Sequence, residues 1–455
     1  MKKKEIIEFT IEEMSFGNKS YGYFDNRKIV VKGGILGQRV KARVKRIRKD
    51  KAEAYITEVV EKSPYETVVP CTHYGKCGGC SLQTLPYEIQ LSEKENWVKK
   101  LFENVRIEPE QWLKIEGSPV IQDYRNKMEF SFGDEFKGGP LTLGMHKKGM
   151  HYDIVTVDEC IIMDNDFRKI LATILEFFKA RNIPKYNNRK REGYLRHLVV
   201  RKAHNTSEML VNLVTSTQLQ VDTSDLVSEL TKLDLDSKIV GILHTFNDNL
   251  SDTVQSDKTE TLFGQDFITE KVFELKFKIS PFSFFQTNTL GTEKLYSIVK
   301  EFVGDSKDKT IFDLYCGAGT ISQIVANQAK QVIGIEINEE AVKAARESAK
   351  ENSIANCKFI AGDVKEEVQN LNEKPDIIVL DPPRAGITPK ALEHIAEFNA
   401  EKIVYVSCNP KSLVEDLKFF VGKGYMVEKL QVVDMFPHTP HVECVVGIQK
   451  IESMK

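Results

Sequence analysis

The sequence lacks the features that would place a protein in a membrane or outside the cell. No run of about 18 apolar residues occurs in its 455 positions, so no transmembrane helix is predicted. The start, "MKKKEIIEFTIEE", is basic but leads into no apolar segment, so no secretory signal is predicted. We therefore expect a cytoplasmic protein whose eight cysteines are free thiols, metal ligands or nucleophiles rather than disulfides.

A large net charge is also absent. The chain has 64 Lys and Arg against 66 Asp and Glu, so the total charge favours no particular class of partner. The distribution is uneven, because residues 1–62 hold 16 basic against 9 acidic side chains, and most of the basic excess lies in "RVKARVKRIRKDK" (39–51). Such a strand is typical either of a charge-protected sheet edge or of a surface that faces nucleic acid, and the residues leave both open.

Enough apolar residues are present for large cores, at 41% of the chain, and the length predicts about two to four domains. Residues 1–62 contain short period-two runs such as "YGYFDNRKIVV" and "AEAYITEVVE", separated by turn residues. So many strands in so short a segment predict a small OB-like barrel. From about 120 to 265 the pattern is mixed α/β.

From about residue 309 onward, short apolar strands alternate with amphipathic helices, which predicts a doubly wound parallel sheet. The last two strand candidates, "VEKLQVVDMF" and "VECVVGIQK", follow each other without a helix between them. They predict an antiparallel pair at the end of the sheet.

A glycine-rich turn follows the first strand of this region, in "DLYCGAGT" (313–320). Gly317 and Gly319 allow a sharp turn and close approach of a ligand, and Glu336 ends the next strand about 20 residues later. The third glycine of a dinucleotide fingerprint is replaced by Ser322. The residues alone therefore leave open a dinucleotide site, an S-adenosylmethionine site or an ordinary turn.

Two later strands end on polar residues that belong at the same edge of the sheet. "VLDPPRAG" ends its strand on Asp381, and "IVYVSCNP" ends its strand on Cys408, after which Asn409 and Pro410 break the backbone. Because the carboxyl ends of parallel strands meet at one edge, we expect Cys408 to lie in the ligand crevice rather than in the core.

Three cysteines with the spacing C-x5-C-x2-C lie in the loop "CTHYGKCGGC", and a fourth lies in "VDECIIM". They are Cys71, Cys77, Cys80 and Cys160. Structural zinc sites and iron–sulfur clusters both use four thiolates, and the spacing does not separate the two.

Five motifs in fixed order carry a resemblance to a known family: "FFQTN" (284–288), "DLYCGAGT", "DPPRAG", "VSCNP" and "DMFPHTPHVE" (434–443). Together they resemble the S-adenosylmethionine-dependent RNA uracil-5-methyltransferases, which include the bacterial 23S rRNA and tRNA uracil-C5 enzymes. The resemblance covers nearly the whole chain.

The resemblance implies a multidomain protein. Residues 1–62 are then a TRAM domain, an OB-like β-barrel that binds RNA. Residues 63–90 and 120–265 form an α/β middle domain that carries the cysteine cluster. Residues 91–119 and 266–455 form a Rossmann-like class I methyltransferase sheet.

The resemblance also implies roles for two reactive side chains, with Cys408 as nucleophile and Glu443 as general base. C5 of uracil becomes nucleophilic only after a thiolate adds to C6, and the C5 proton must then be removed. The neighbouring Cys444 is a poor alternative, because consecutive strand residues point to opposite faces.

The same match gives Gln286, Tyr315, Glu336 and Asp381 as contacts for S-adenosylmethionine. Asp381 fits equally well to the N3–H edge of the uracil. Asn409 and Arg384 are further candidates for positioning the substrate. The four cysteines are implied to hold a 4Fe–4S cluster, with zinc as the alternative.

The expected partner is RNA, with 23S rRNA first and tRNA as the nearest alternative, bound by a monomer without a membrane. The basic loop "YNNRKREGYLRH" (186–197) is a second candidate RNA surface or a solvated loop. Two other classes remain as alternatives. A non-catalytic iron–sulfur RNA-binding protein would not need Cys408 and Glu443, and an NAD-dependent oxidoreductase would need a pyrophosphate grip that this turn lacks.

Overall fold

The computed structural model describes residues 1–150, 152–250, 257–364, 366–367, 371 and 373–451. Within these ranges the strands form sheets of six, seven, two and eight strands, connected by α-helices. The helices are α1 (Tyr87–Val105), α2 (Asn165–Ala180), α3 (Ser224–Thr231), α4 (Thr289–Val303), α5 (Thr320–Ala326), α6 (Glu339–Glu351), α7 (Pro389–Glu397) and α8 (Pro410–Gly422). None of the helices in the described ranges is long and apolar enough to cross a membrane.

The first sheet is made by the N-terminal strands. They are β1 (Ile6–Thr10), β2 (Glu13–Ser15), β3 (Lys19–Phe24), β4 (Arg27–Lys32), β5 (Arg39–Ile47) and β6 (Lys51–Glu61), in the spatial order β1-β5-β6-β4-β3-β2. Alternate residues such as Ile29, Val31 and Val40 form its core, as the period-two pattern predicts. The sheet curls strongly and brings β3 close to β1. The close approach is seen at Gly22 of β3, where a Cβ would lie 2.2 Å from the Thr10 carbonyl oxygen of β1.

The second sheet lies in the middle of the chain. Its strands are β8 (Lys127–Asp134), β9 (Leu141–His146), β10 (Ile154–Thr156), β11 (Leu195–Lys202), β12 (Glu208–Thr215), β13 (Lys238–Phe246) and β14 (Lys258–Gly264), in the order β10-β9-β8-β11-β12-β13-β14. Helix α2 packs Phe167, Ile170 and Phe178 on this sheet. The Asp164 side chain caps its first turn by accepting from two backbone N–H groups. A short hairpin of β15 (Ile268–Val272) and β16 (Leu275–Ile279) follows.

The C-terminal region forms the eight-stranded sheet. Its strands are β7 (Gln111–Glu116), β17 (Ser306–Leu314), β18 (Ala329–Glu336), β19 (Cys357–Ala361), β20 (Ile377–Leu380), β21 (Lys402–Ser407), β22 (Tyr425–Val433) and β23 (Glu443–Lys450). The order is β19-β18-β17-β20-β21-β23-β22-β7. Strands β17 to β21 are parallel to one another, and β23 is antiparallel to both of its neighbours. The predicted doubly wound α/β architecture is confirmed.

One expectation about this sheet is wrong. The antiparallel pair β22–β23 does not end the sheet, because β7 pairs in parallel with β22 and forms the edge. Strand β7 precedes the middle sheet in the sequence, and its partner lies more than 300 residues later, so no local pattern signals the pairing.

Helices cover both faces of the eight-stranded sheet and leave its edges free. One core joins the strands to α1, α7 and α8 through residues such as Phe102, Ile395 and Leu417. The other joins them to α4 and α5 through residues such as Val299 and Ile324. Ligands of such sheets bind beyond the carboxyl ends of the strands, so a ligand is expected at the loops after β17, β18, β20 and β21.

A buried ion pair attaches α1 to the segment that follows β22. Lys94 and Asp434 are both 0% exposed, and the Lys94 Nζ lies 2.7 Å from the Asp434 Oδ1. The same Nζ donates to the Phe436 carbonyl oxygen at 3.1 Å. A buried charge that loses its partner is strongly destabilising, so this pair fixes the position of the helix relative to the segment.

We predict that Lys94→Met lowers the free energy of unfolding by roughly 3–5 kcal/mol, because Asp434 is left buried without a cation. The double variant Lys94→Met/Asp434→Asn should recover most of this loss, since the asparagine still accepts from the Phe436 N–H. Urea unfolding followed by the fluorescence of the two tryptophans, Trp97 in α1 and Trp112 in β7, measures the change.

The exposed pair of Lys100 with Glu13 provides the matched control on the same helix. Lys100→Met should change stability by less than about 1 kcal/mol. A double variant no more stable than Lys94→Met would contradict the assignment.

Candidate active site

Three of the candidate residues lie in one row at the carboxyl edge of the eight-stranded sheet. Leu314 in β17 pairs with Ile335 in β18 and with Leu380 in β20. The residues directly after these partners are, in the same order, Tyr315, Glu336 and Asp381. The parallel register therefore brings the three together, as expected for the ends of neighbouring strands.

The glycine-rich turn after β17 is tied to Glu336. Tyr315, Gly317 and Gly319 all have positive φ, at 67°, 54° and 72°. The Gly317 N–H donates to the Glu336 Oε2 at 3.1 Å. A Cβ on Gly317 would meet no atom within 4 Å, whereas a Cβ on Gly319 would lie 2.5 Å from the Phe359 ring. The turn is thus closed on its inner side and open at Gly317, where a ligand can approach the backbone.

Cys408 directly follows β21, and Glu443 begins the adjacent antiparallel strand β23. Ser407, the last residue of β21, pairs with Cys444 of β23. The same register extended by one residue sets Cys408 opposite Glu443, where facing Cα atoms are about 4.5–5.5 Å apart. Cys444 itself is 0% exposed and belongs to the core.

The backbone break after Cys408 has a structural cause. The Asn409 side chain caps α8 by accepting from the Lys411 N–H, and its Nδ2 donates to the Arg384 carbonyl oxygen at 2.8 Å. Asn409 therefore joins the loop after β21 to the loop after β20, and Cys408 remains partly exposed between them.

The thiol of Cys408 is poorly ionised in the free protein. Burial raises its pKa to about 11, and the negative charges of Glu443 and Asp381 act in the same direction. The positive charge of Arg384 opposes this shift. Because the thiolate is the nucleophile, the site needs additional positive charge before Cys408 becomes reactive.

Three carboxyl groups are concentrated in this part of the molecule. Burial raises the pKa of Asp313 to about 7, and burial together with the charge of Asp313 raises the pKa of Asp381 to about 7. The pKa of Glu443 is also raised by burial and by Asp381, while Arg384 opposes it. Asp381 keeps some exposed surface, whereas Asp313 is 0% exposed.

This excess of buried acids fits a cationic ligand. Ser322 donates to one oxygen of Asp313, and the other oxygen has no hydrogen-bond partner among the described residues. The sulfonium and ammonium groups of S-adenosylmethionine are cations that match such a pocket. Sequence reasoning missed Asp313, although a carboxylate inside the apolar run "TIFDLY" was an available signal.

The segment before α4 carries Gln286 and the exposed ring of Phe284. The Gln286 side chain lies near the Tyr296 hydroxyl, whose pKa is raised by burial and by the charges of Asp381, Asp313 and Glu443. Phe284 is 79% exposed, which is unusual for a phenylalanine and was not singled out from the sequence. Asn288 caps α4, and its Nδ2 donates to the Met435 carbonyl oxygen at 2.9 Å, so this segment contacts the loop that leads to Glu443.

A histidine that the sequence did not single out lies against Arg384. The Arg384 Nη2 is 3.1 Å from the His441 Nδ1. Burial, followed by the charges of Arg384, Lys94 and Arg125, lowers the pKa of His441 to about 4. His441 is therefore neutral near pH 7, and its Nδ1 can accept from the guanidinium and orient it.

The four cysteines of the predicted cluster affect one another electrostatically. The pKa of Cys80 is raised to about 12, first by burial and then by the charges of Cys160, Cys77 and Cys71. Among the described residues, however, no group of three or more His, Cys, Asp or Glu side chains is arranged to hold a metal ion. The predicted metal site is therefore not confirmed.

The chain is similar to known proteins over most of its length. The family model "tRNA (Uracil-5-)-methyltransferase" matches residues 86–451. An uncharacterized RNA methyltransferase of Clostridium tetani is 52% identical over 454 residues, covering 100% of both chains. An uncharacterized RNA methyltransferase of Caldanaerobacter subterraneus is 51% identical and covers 99% of this chain and 100% of its own.

One solved structure is similar over nearly the whole chain. The tRNA (uracil-54, C5)-methyltransferase of Pyrococcus abyssi, in complex with S-adenosyl-L-homocysteine, matches with a TM-score of 0.75 and 27% identity. The match covers 97% of this chain and 100% of that one. The similarity therefore extends to the N-terminal sheet and the cysteine loop, which precede the residues matched by the family model.

We predict that S-adenosylmethionine accelerates alkylation of Cys408 by iodoacetamide at pH 8. A cation among Asp313, Asp381 and Glu443 offsets the negative charges that hold the thiol pKa near 11. A decrease of one pKa unit raises the thiolate fraction about tenfold. Peptide mass spectrometry of timed reactions measures the rate at this cysteine.

S-adenosylhomocysteine is the matched control, because it has nearly the same shape but no sulfonium charge. It should accelerate alkylation much less. Arg384→Gln should slow the reaction, since its charge lowers the thiol pKa. Equal rates with both ligands, or a thiol that titrates below about pH 9 without ligand, would refute this electrostatic description.

Proposed function

The chain belongs to the RNA uracil-5-methyltransferase family and is an S-adenosylmethionine-dependent methyltransferase; from this premise we propose that it methylates C5 of a uridine in 23S rRNA. The reaction proceeds through a covalent bond between Cys408 and C6 of the uracil. The observation that carries the proposal is the register that sets Cys408 opposite Glu443, next to the glycine-rich turn.

The methyl donor is proposed to bind over that turn. When bound, S-adenosylmethionine supplies an electrophilic methyl group on a positively charged sulfur. Glu336 binds the ribose hydroxyls, Tyr315 packs against the ligand, and Gln286 hydrogen-bonds its amino-acid portion. The buried carboxyl groups of Asp381 and Asp313 favour its positive charge, and the open space at Gly317 supports this position.

The uracil is proposed to enter between Cys408 and Glu443. The Cys408 thiolate adds to C6, which makes C5 nucleophilic enough to take the methyl group. Glu443 then accepts the C5 proton, and C6 releases the thiolate. Arg384 favours both the thiolate and the carboxylate, and His441 orients the guanidinium. The exposed ring of Phe284 offers a stacking surface for a base turned out of the RNA.

The N-terminal sheet and the middle sheet are proposed to hold the RNA around the target. We assign residues 1–62 to a TRAM barrel, 63–90 and 120–265 to the middle domain, and 91–119 with 266–455 to the methyltransferase domain. In the first sheet the guanidinium of Arg43 lies 5.9 Å from the centre of the exposed Tyr55 ring.

A second pair of this kind lies in the basic loop of the middle domain. The Arg189 guanidinium is 4.3 Å from the centre of the exposed Tyr152 ring. Cations stacked on exposed rings suit single-stranded RNA, because every base offers a flat face for stacking. The enzyme is proposed to act as a cytoplasmic monomer.

A tRNA is the second candidate for the substrate. The similar solved structure from Pyrococcus abyssi is a tRNA enzyme, and the matched family model is described by the same substrate. The 23S rRNA is proposed first by the family resemblance alone, since the match to the tRNA enzyme covers the front portion of the chain as well.

The four cysteines are proposed to hold a 4Fe–4S cluster that ties the cysteine loop to the middle domain, with zinc as the alternative. Support comes from the mutual electrostatic effects of Cys71, Cys77, Cys80 and Cys160. The loop also pairs with the turn after β9, because the Gly78 N–H donates to the His146 carbonyl oxygen at 3.0 Å.

We predict that Glu443→Gln accumulates a denaturation-resistant protein–RNA adduct in cells. The amide cannot accept the C5 proton, so the methylated uracil stays attached to Cys408, and turnover falls about 10²- to 10⁴-fold. Gel electrophoresis under denaturing conditions detects the adduct, and sequencing of the attached RNA identifies the substrate as rRNA or tRNA.

Cys408→Ala is the control and should give neither adduct nor product while still binding RNA. Cys444→Ala should still methylate RNA and still bind it, because that thiol is buried in the core. Failure of Glu443→Gln to accumulate an adduct would remove Glu443 from the role of base.

We predict that protein purified without oxygen contains about four iron and four sulfide per chain, and that Cys160→Ser loses both. Cys357→Ser, at a cysteine far from the group in sequence, is the control and should keep them. Elemental analysis with the visible absorption spectrum measures the content. One zinc per chain would favour the alternative, and the absence of both metals would refute the site.

A further inference from the structure

The segment between β16 and α4 carries two site residues without regular secondary structure of its own. Residues 280–288 form neither strand nor helix, yet they hold Phe284 and Gln286. Backbone carbonyl groups of such a segment must find hydrogen-bond donors elsewhere if they are shielded from water. The position of the two side chains therefore depends on the donors that this segment finds.

The first donor is an arginine of the middle sheet. Arg201, near the end of β11, is 3% exposed. Its Nε donates to the Pro281 carbonyl oxygen at 3.1 Å, and its Nη2 donates to the Ser283 carbonyl oxygen. The planar guanidinium thus holds two carbonyl groups directly before Phe284, in a geometry that a lysine cannot reproduce.

The second donor is an asparagine just before β8. The Asn126 Nδ2 donates to the Gln286 carbonyl oxygen at 3.1 Å and to the Thr289 Oγ1 at 2.9 Å. The Asn126 N–H donates to the Thr287 carbonyl oxygen at 2.9 Å. The segment is therefore held before Phe284 by Arg201 and after it by Asn126, both of which lie outside the eight-stranded sheet.

We propose that Arg201 is a positioning residue, which with Asn126 holds Phe284 and Gln286 in place for the methyl donor and the uracil. The middle domain then forms one wall of the active site by fixing its least regular segment. The inference rests on the proposed function only where it takes Gln286 as a contact of S-adenosylmethionine.

A purely structural role for Arg201 is less consistent with its surroundings. Burying a guanidinium is unfavourable unless its hydrogen bonds are made, and an apolar side chain would fill the same space at lower cost. The two bonds of Arg201 described above go to the segment that carries the site residues. The buried position of Arg201 is thus best explained by its hydrogen bonds to the segment that carries Phe284 and Gln286.

The same strand supplies a matched control. Arg196 is also 3% exposed, and its Nη1 donates to the carbonyl oxygens of Asn247 at 2.7 Å and Asn249 at 2.9 Å. It lies near the other end of β11, at the register shift between Leu195 and His197. Arg196 therefore holds a loop that is unconnected with the site.

The experiment compares Arg201→Lys with Arg196→Lys in the full-length protein. Hydrogen exchange should become faster in residues 281–289 for Arg201→Lys and around residues 247–249 for Arg196→Lys. Calorimetric titration with S-adenosylmethionine alone should show about a tenfold weaker affinity for Arg201→Lys and less than about a twofold change for Arg196→Lys. The melting temperatures of the two variants should fall by similar amounts.

Asn126→Ala provides a second test that does not remove a buried charge, and it should increase exchange in residues 285–289. Unchanged exchange in residues 281–289 for both Arg201→Lys and Asn126→Ala overturns the inference. Equal loss of affinity in Arg201→Lys and Arg196→Lys also overturns it, because the effect would then be one of general stability.

A double-mutant cycle separates this inference from the proposed function. If Arg201 acts through Gln286, the variant Arg201→Lys/Gln286→Ala should bind S-adenosylmethionine no more weakly than Gln286→Ala alone. Full additivity contradicts the inference. An affinity unchanged by Gln286→Ala would instead refute the proposed contact of Gln286, while the exchange data would still decide whether Arg201 holds the segment.

Discussion

Backbone carbonyl groups that belong to no helix or strand still need hydrogen-bond donors when they are buried, and this requirement organises the active edge of the protein. The clearest case is the loop between β22 and β23, where four consecutive carbonyl oxygens, Met435 to His438, accept from different parts of the chain. The donors are Asn288 before α4, Lys94 in α1, Tyr124 before β8, and the N–H groups of Ser81 and Leu82 in the cysteine loop. The loop that leads to Glu443 is therefore held by hydrogen bonds from several distant parts of the chain.

The cysteine loop and the middle domain thereby become part of the active site without contributing a reacting group. The residues directly after Cys80 bind the same loop that contains His441, and the middle sheet holds the segment with Gln286. Asn288 connects the two irregular segments to each other. The order of the sequence suggests an RNA-binding front portion and a catalytic back portion. The site does not divide in this way, because residues from the front portion hold its loops in place.

Much of the fold followed from local patterns, whereas the supports of the site did not. The alternation of apolar strands and amphipathic helices after residue 309 predicted the doubly wound sheet, and strand ends predicted Glu336 and Asp381 at its carboxyl edge. Strand β7 could not be placed, because its partner is distant in sequence. Arg201 could not be singled out, because a buried arginine is recognised only by the carbonyl groups that it meets. The role of the four cysteines depended on the family resemblance, because thiolate spacing does not identify a metal.

In the proposed mechanism, with Cys408 as nucleophile and Glu443 as base, the electrostatics of the site connect the order of binding with the order of chemistry. In the free protein, the buried carboxyl groups keep the Cys408 thiol protonated, so the nucleophile is protected while no methyl donor is present. A bound cation favours the thiolate and also keeps Glu443 ionised. Once the methyl group has moved to C5, the sulfur is neutral and that cation is gone, so the pKa of Glu443 rises again because of burial and the charge of Asp381. Glu443 thus becomes a stronger base at the step that requires it to accept the C5 proton, and one set of buried charges serves both halves of the reaction.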